Sequence, residues 1–184
     1  MLTGLIEQGK QDLQYLETVS DALERAATQS EIDEIRQELV ISGFMKSKRK
    51  NSDKQPKLLP PMEYRTSDGF RVLVGRNNMQ NDRLSLKTAA KNDMWLHTQK
   101  FPGSHVIIVS DNRGISDDAI VEAAEIAAYH SKARDAKLVP VDYTFVRNLK
   151  KPQGAPLGKV IYHVYYSVNV TPEREKIEKL LVKA

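Results

Sequence analysis

The chain has 184 residues, enough for one well-buried domain with an appended segment, and its 40% hydrophobic content favours a globular protein over a disordered or fibrous one. It contains no cysteine, which excludes a disulfide framework, thiolate zinc sites and a cysteine nucleophile. No apolar run approaches the roughly 20 residues of a membrane span, and the N-terminus lacks a secretion signal. We therefore expect a cytoplasmic protein with no membrane partner.

The charge is divided between two parts of the chain. Residues 1–45 hold three basic and nine acidic residues, a net charge of −6, whereas the remainder holds 25 basic and 15 acidic residues, a net charge of +10. Clustered cations are the electrostatic footprint of a phosphate-rich partner. The C-terminal part is therefore the candidate for nucleic-acid binding.

Residues 1–45 predict a helical coiled-coil segment. Apolar residues recur at helical spacing over 2–27 and again from Ile32 to Val40, with Ser30 as the second helix start and Gly43 as its end. The stripe of the first helix is as narrow as a coiled-coil seam and consists of Leu2, Leu5, Ile6, Leu13, Leu16 and Leu23. A lone helix of this kind needs a partner. We expect the chain either to begin inside a helical hairpin of a longer protein or to dimerise through this segment.

Residues 46–61, KSKRKNSDKQPKLLPP, predict a basic flexible linker because Lys, Ser and Pro dominate them. The basic run can be a solvated hinge or an additional contact with nucleic acid. Residues 62–184 predict a mixed α/β domain of the α+β type, with a largely antiparallel sheet and flanking helices. A hairpin is predicted around the turn 66–69, helices over 77–91, 117–133 and after Thr171, and strands over 94–97, 104–110, 139–146 and 160–170.

The stretch DMWLHTQKFPGSHVIIV, residues 93–109, contains the single tryptophan and two of the four histidines. Side chains of a strand alternate between faces, so Asp93, Trp95 and His97 point away from the core face of Met94 and Leu96. We expect the outer face to be either a site or a polar edge.

Three interpretations of this stretch stay open. Asp93, His97 and His105 are the residue types of a metal-dependent hydrolase, and Ser104 is a candidate nucleophile. The His-x7-His spacing is no recognised ligand pattern, however, and a G-x-S-x-G elbow is absent. We therefore expect no catalytic residue, metal or cofactor. In the third interpretation Trp95 is a structural anchor and His97 a buried histidine.

A second basic motif is RNLKKPQGAPLGKV, residues 147–160, a loop with four cations whose glycines permit close backbone approach. Its composition suits phosphate contact, although it lacks the residue order of a P-loop. A solvated hairpin loop is the alternative. Four tyrosines can stack on bases if they are exposed: Tyr143, Tyr162, Tyr165 and Tyr166.

Three motifs in order, YRTSDGFRVLVGRNNMQND, DMWLHTQKFPGSHVII and VRNLKKPQGAPLGKV, carry a family resemblance. Residues 62–170 resemble the RNA-binding domain (NFACT-R) of the NFACT family, a group that includes RqcH, NEMF and the fibronectin-binding protein A-like proteins. The acidic helical segment is similar to the distal part of the family's middle coiled coil. The resemblance implies a C-terminal portion of a longer protein, without enzymatic activity of its own.

The resemblance also implies partners. Full-length relatives bind obstructed large ribosomal subunits and tRNA and support template-independent alanine tailing of the stalled chain. We expect the phosphate contacts to come from Lys100, Arg147, Lys150, Lys151 and Lys159, with His97 and His105 as hydrogen-bond donors beside them. The structural residues of the motifs are Asp93, Trp95, Gly103, Ser104, Pro152, Gly154 and Gly158. The competing interpretation is a surface-exposed adhesion protein that binds fibronectin or fibrinogen.

Overall fold

A computed structural model describes residues 2–47 and 58–183. Its helices are α1 (Leu2–Arg25), α2 (Gln29–Ile41), α3 (Asn78–Arg83, continued by a π-helical turn, Leu84–Thr88), α4 (Asp117–Tyr129) and α5 (Arg174–Leu180). Its strands are β1 (Met62–Arg65), β2 (Arg71–Val74), β3 (Met94–Thr98), β4 (Val106–Val109), β5 (Val139–Phe145) and β6 (Tyr166–Val170).

The strands form one sheet in the order β1-β2-β4-β3-β5-β6, in which every neighbouring pair is antiparallel. Leu96 on β3 lies opposite Val106 on β4 and Tyr143 on β5. The predicted α+β class with an antiparallel sheet is confirmed. The pairing places β3, the strand of Trp95 and His97, in the interior of the sheet.

The strands β2, β3 and β4 contribute side chains to two hydrophobic clusters, because successive residues point to opposite faces. On one face α4 and α5 pack over Leu96 and Ile108. On the other face Trp95 and Ile107 pack with the π-helical turn and the segment after β5. The outer face of β3 was predicted to be either a site or a polar edge. It is largely a second core, in agreement with the interpretation of Trp95 as a structural anchor, since Trp95 is only 1% exposed.

Local signals explain where several elements begin. In the β1–β2 turn, Gly69 adopts a φ of +90°, and the Thr66 hydroxyl accepts a hydrogen bond from the Phe70 amide at 2.8 Å. Ser116 caps α4 as predicted, since its hydroxyl accepts from the Ala119 amide at 3.0 Å.

Two predicted helices end earlier than expected. The helix predicted to Lys91 ends at Thr88, because Ala89 is extended and the Ala90 amide donates to Asp93 at 2.8 Å. The helix predicted to Ala133 ends at Tyr129. There the Ser131 side chain donates to a helix carbonyl and accepts from a later amide, which replaces the next helical turn.

The last predicted strand, 160–170, is wrong in its first half, since β6 begins only at Tyr166. Side chains of β5 hold the preceding segment where a backbone ladder was expected. Asp142 accepts from the Tyr162 hydroxyl at 2.8 Å, and the Thr144 hydroxyl donates to the Val164 carbonyl at 2.6 Å.

The helices α1 and α2 form a short hairpin. Thr28, not the predicted Ser30, caps α2: its hydroxyl accepts from the Glu31 amide, and the Glu31 carboxylate accepts from the Thr28 amide at 3.0 Å. This reciprocal pair is a capping box, the strongest local signal for a helix start in this segment.

Two buried carboxylates of α2 attach the hairpin to the sheet domain. Glu34 accepts from the side chains of Asn77 (2.8 Å) and Gln80 (2.9 Å). Glu38 accepts from the Asn78 side chain (2.9 Å) and the Met79 amide (3.1 Å). Burial raises the pKa of Glu38. Because an unpaired buried carboxylate is costly, these donors at the start of α3 fix the position of α2.

Ion pairs reinforce the same junction. Asp21 on α1 is buried and bonds Arg25 at 2.9 Å as well as Arg134, which follows α4. Glu31 on α2 pairs with Arg76 at 2.6 Å.

The face of α1 that packs is not the predicted leucine stripe. Tyr15, Val19 and Ala22 are buried against Ile35 of α2. The predicted seam residues Leu5, Leu13 and Leu23 are 66%, 60% and 50% exposed. The predicted seam residues therefore remain exposed on the described part of the chain.

The predicted linker, 46–61, falls mostly on residues 48–57, which lie outside the described residues. Its end is attached to the domain, since the Leu59 carbonyl accepts from Gln80 at 3.1 Å and the Pro60 carbonyl from Arg76 at 3.0 Å. Within 2–47 and 58–183, no helix has both the length and the apolar character that crossing a membrane requires.

Candidate nucleic-acid interface

An aromatic cluster lies on the face of the sheet that carries Trp95, opposite the face covered by α4. Trp95 and His97, two residues apart on β3, are nearly parallel, with ring centroids 5.8 Å apart and 13° between their planes. His105 meets the Trp95 ring edge-on at 5.2 Å, and Tyr162 lies 5.0 Å from it. The structure thus brings together rings from three separate parts of the sequence.

The two histidines of this cluster are held in their neutral form. Burial lowers the pKa of His97 and lowers that of His105 well below 6.5. The Nδ1 atom of His105 lies 2.8 Å from the Ser85 hydroxyl, and its backbone amide donates to the Asn81 side chain at 3.0 Å. Both side chains are therefore neutral imidazoles, each with one N–H donor.

A cleft of about 240 Å³ opens beside these rings. It lies between α1 and the segment 156–162, and Lys159 is its one cation among the described residues. None of the described side chains that line it is a carboxylate. The indole Nε1 of Trp95 is buried and has no hydrogen-bond partner within residues 2–47 and 58–183.

The helix α1 supplies one wall of the cleft, a contact that no sequence pattern predicted. Gln11, Gln14 and Tyr15 of α1 line it. The Tyr15 hydroxyl donates to Glu38 at 2.9 Å, which fixes its position. No pattern in the sequence links α1 to β3, because the contact depends on the buried carboxylates of α2.

Lys151 fixes the conformation of the basic loop. Its ammonium lies 3.0 and 2.9 Å from the two carboxylate oxygens of Asp82 on α3. Asp82 also accepts from the Gly158 amide at 2.9 Å. Lys151 therefore positions the loop, whereas Lys150, whose backbone bridges to Ile161, is exposed.

The glycines of this loop occupy left-handed backbone conformations, with φ of +72° at Gly154 and +79° at Gly158. A Cβ at Gly158 would lie 2.6 Å from the Asn78 side chain, whereas a Cβ at Gly154 would meet no atom within 4 Å. Pro152 precedes them in the same turn region and is half-buried.

The remaining predicted cations lie apart from one another. Lys100 is exposed in the turn after β3, with a φ of +58°. Arg147 follows β5 at the opposite end of the sheet, where it stacks on Phe145 and donates to Asn92 at 2.9 Å. Register explains the separation, since Met94 at the start of β3 pairs with Phe145.

Asp93 does not join the two histidines. Its carboxylate accepts from the Ser110 amide (2.9 Å), the Ser110 hydroxyl (3.1 Å) and the Ala90 amide. Asp93 therefore holds the start of β3 next to the end of β4. Its carboxylate is not placed to act with the histidines as the acid of a metal-dependent hydrolase. Among the described residues, no group of three His, Asp or Glu side chains is placed to hold a metal ion.

Gly103 and Ser104 also have packing partners. The Ser104 hydroxyl donates to the Gly75 carbonyl at 2.6 Å and accepts from Arg25 at 3.1 Å, so it is not aligned with a histidine as a nucleophile. A Cβ at Gly103 would lie 2.7 Å from that of Ser131, which explains the need for glycine in this turn.

The four tyrosines lie in different environments. Tyr165 and Tyr166 are 47% and 69% exposed, so they meet the condition set for base stacking. Tyr143 stacks with Tyr166 at 5.7 Å on the face of α4. Tyr162 alone lines the cleft.

Comparison with known proteins gives consistent matches. Residues 61–163 match the NFACT protein RNA binding domain, and residues 1–58 match the NFACT N-terminal and middle domains. The chain is 43% identical to the Rqc2 homolog RqcH of Streptococcus suis (98% of this chain, 32% of that protein) and 41% identical to that of Bacillus subtilis (95% and 30%). It spans about a third of the length of these curated relatives.

A solved structure is also similar. It is that of the C-terminal of the fibronectin/fibrinogen-binding protein from Streptococcus suis, with a TM-score of 0.91 and 43% identity. The match covers 98% of this chain and 72% of that one.

Proposed function

This chain belongs to the NFACT family, and from that membership we propose that it is the RNA-binding part of a ribosome-associated quality control factor. Its partners are the RNA of the large ribosomal subunit and tRNA, and it acts in the cytoplasm. The chain binds rather than catalyses. As part of a longer protein it supports the alanine tailing of stalled nascent chains that the family resemblance implies.

The observation that carries this proposal is a cleft lined by aromatic rings, within a part of the chain that is basic in sequence. Residues 46–184 have a net charge of +10, and the described lining of the cleft contains rings, amides and one lysine but no carboxylate. Aromatic rings beside cations are the usual means of holding single-stranded RNA. A negatively charged RNA therefore meets no negatively charged side chain in the described lining of the cleft.

The predicted residues take different roles in this proposal. Lys100, Lys150 and Lys159 contact phosphates, and Arg147 contacts RNA from the opposite end of the sheet. Lys151 acts by holding the loop against Asp82. His97 faces the RNA as a neutral hydrogen-bonding group within the cleft, whereas the predicted role of His105 is reduced to supporting the Trp95 ring, since His105 is buried.

Filter binding of tRNA and of purified large subunits tests the proposal. If three phosphates are engaged, a fourfold rise in salt should weaken binding by about 20- to 40-fold. Lys100→Ala and Lys159→Ala should each weaken it and flatten the salt dependence. Lys179→Ala is the matched control, because Lys179 is exposed on α5, across the sheet. Binding that is absent, or that ignores salt and both lysines, would contradict the proposal.

A second candidate function is adhesion, favoured by the similarity to the fibronectin/fibrinogen-binding protein of Streptococcus suis. In that case the protein acts at the cell surface. Binding to immobilised fibronectin that tRNA does not compete away, and that survives Lys100→Ala and Lys159→Ala, would favour this function over RNA binding.

We also propose that the exposed leucine stripe of α1 pairs with another helix. Leu5, Leu13 and Leu23 are large apolar side chains on one side of α1, and at least half of each is exposed. In a longer protein a helix of the same chain can cover it. For the 184-residue chain alone, the partner is a second copy.

A further inference from the structure

We propose that the cleft holds a single unpaired nucleobase of the bound RNA, stacked on the accessible part of the His97 ring. The inference rests on the proposed RNA-binding function and adds a specific occupant. It concerns the cleft between α1 and the segment 156–162, not the surface lysines.

The size of the cleft limits its occupant. Small-molecule sites commonly measure roughly 300–1,000 Å³, and this cleft measures about 240 Å³. It has room for one planar ring system but not for a run of stacked nucleotides. An unpaired base that leaves its strand fits this limit, whereas a duplex does not.

The walls of the cleft suit a flat ring. His97 and Tyr162 are half-buried, so part of each ring is accessible. Behind His97 lies the nearly parallel ring of Trp95. A base that stacks on His97 would extend an existing stack rather than create a new one.

The charges in the cleft favour a base over a phosphate. Burial lowers the pKa of His97 and His105, so both imidazoles are neutral at pH 7. Lys159 is then the only charged group among the described residues that line the cleft. An uncharged ring can enter while its phosphates stay near Lys159. The amides of Gln11 and Gln14 on α1 can read the edge of the base.

The experiment uses the complete 184-residue chain and two fluorescently labelled RNA octamers. One is oligo-uridylate, and the other has the same ribose-phosphate backbone without bases. Trp95 is the only tryptophan, so its intrinsic emission reports on the cleft alone. We expect oligo-uridylate to quench Trp95 and, by anisotropy, to bind at least about fivefold tighter than the abasic strand.

Two pairs of variants separate a base pocket from a structural role. Tyr162→Leu removes a cleft ring and should abolish the preference for bases, whereas Tyr162→Phe keeps the ring and should preserve it. Gln14→Ala changes an exposed residue of α1, so folding is not at risk, and it should reduce the same preference.

The outcomes distinguish this inference from the function it rests on. Equal affinity for the two octamers, or no binding of either while tRNA is still bound, overturns the base pocket and leaves RNA binding in place. Loss of binding to tRNA and to every other RNA removes both. A preference for bases that Tyr162→Leu abolishes and Tyr162→Phe retains supports the base pocket.

Discussion

His130 makes the stability of the protein depend on pH. The residue is buried at the end of α4, where its Nε2 atom lies 2.7 Å from the Tyr64 hydroxyl. Burial lowers its pKa from 6.5 to about 3. Three guanidiniums of the helix junction act in the same direction, those of Arg25, Arg134 and Arg76.

The direction of this pKa shift determines whether the free energy of unfolding rises or falls with pH. Below pH 6.5 the unfolded chain takes up a proton on His130, whereas the folded protein does so only near pH 3. Stability is therefore complete above pH 6.5 and is lost as the pH falls towards 3. At pH 5 the difference corresponds to about 2 kcal/mol of unfolding free energy.

Urea unfolding at pH 8 and pH 5, for the natural protein and His130→Gln, measures this effect. Gln keeps a polar group near Tyr64 but does not titrate. Any loss in the free energy of unfolding caused by the substitution itself is therefore the same at both pH values. His97 and His105 are present in both proteins and cancel. The natural protein should lose about 2 kcal/mol more than His130→Gln between pH 8 and pH 5. Equal losses in the two proteins would refute the reasoning.

Three further predictions concern the packing of the basic loop and self-association through α1. Gly158→Ala should cost about 2–3 kcal/mol in urea unfolding, because it adds a clash to a left-handed backbone, whereas Gly154→Ala should cost only about 1 kcal/mol. Lys151→Ala should cost about 1 kcal/mol and Asp82→Ala more, since Asp82 also holds the loop backbone. Sedimentation should show a concentration-dependent dimer that Leu13→Glu dissolves; a monomer at high concentration would exclude self-association through α1.

The sequence predicted the elements with strong local signals. The hairpin around Gly69 and the helix after Ser116 each depend on residues within one turn, so their positions are close to those observed. The alternation on β3 correctly separated Leu96 from Trp95. Errors arose where side chains from distant elements decide the outcome, as with Asp142 and Thr144 before β6.

The candidate site was only partly predictable for the same reason. The motifs 93–109 and 147–160 were both singled out from the sequence. The structure brings one residue of each, His97 and Lys159, to one cleft. The contribution of α1 had no local signal. The role of Lys151 depends on Asp82, a carboxylate 69 residues earlier in the chain, which no spacing rule connects to a basic loop.

The buried carboxylates of α2 have a mechanical consequence. Because Glu34 and Glu38 each take most of their hydrogen bonds from donors at the start of α3, a pivot of the hairpin would leave buried carboxylates short of donors. Its longer helix, with 24 residues, is a rigid arm of about 36 Å. A force or a displacement applied to the far end of α1 is therefore passed to the cleft, since Gln11 and Tyr15 of the same arm form its wall.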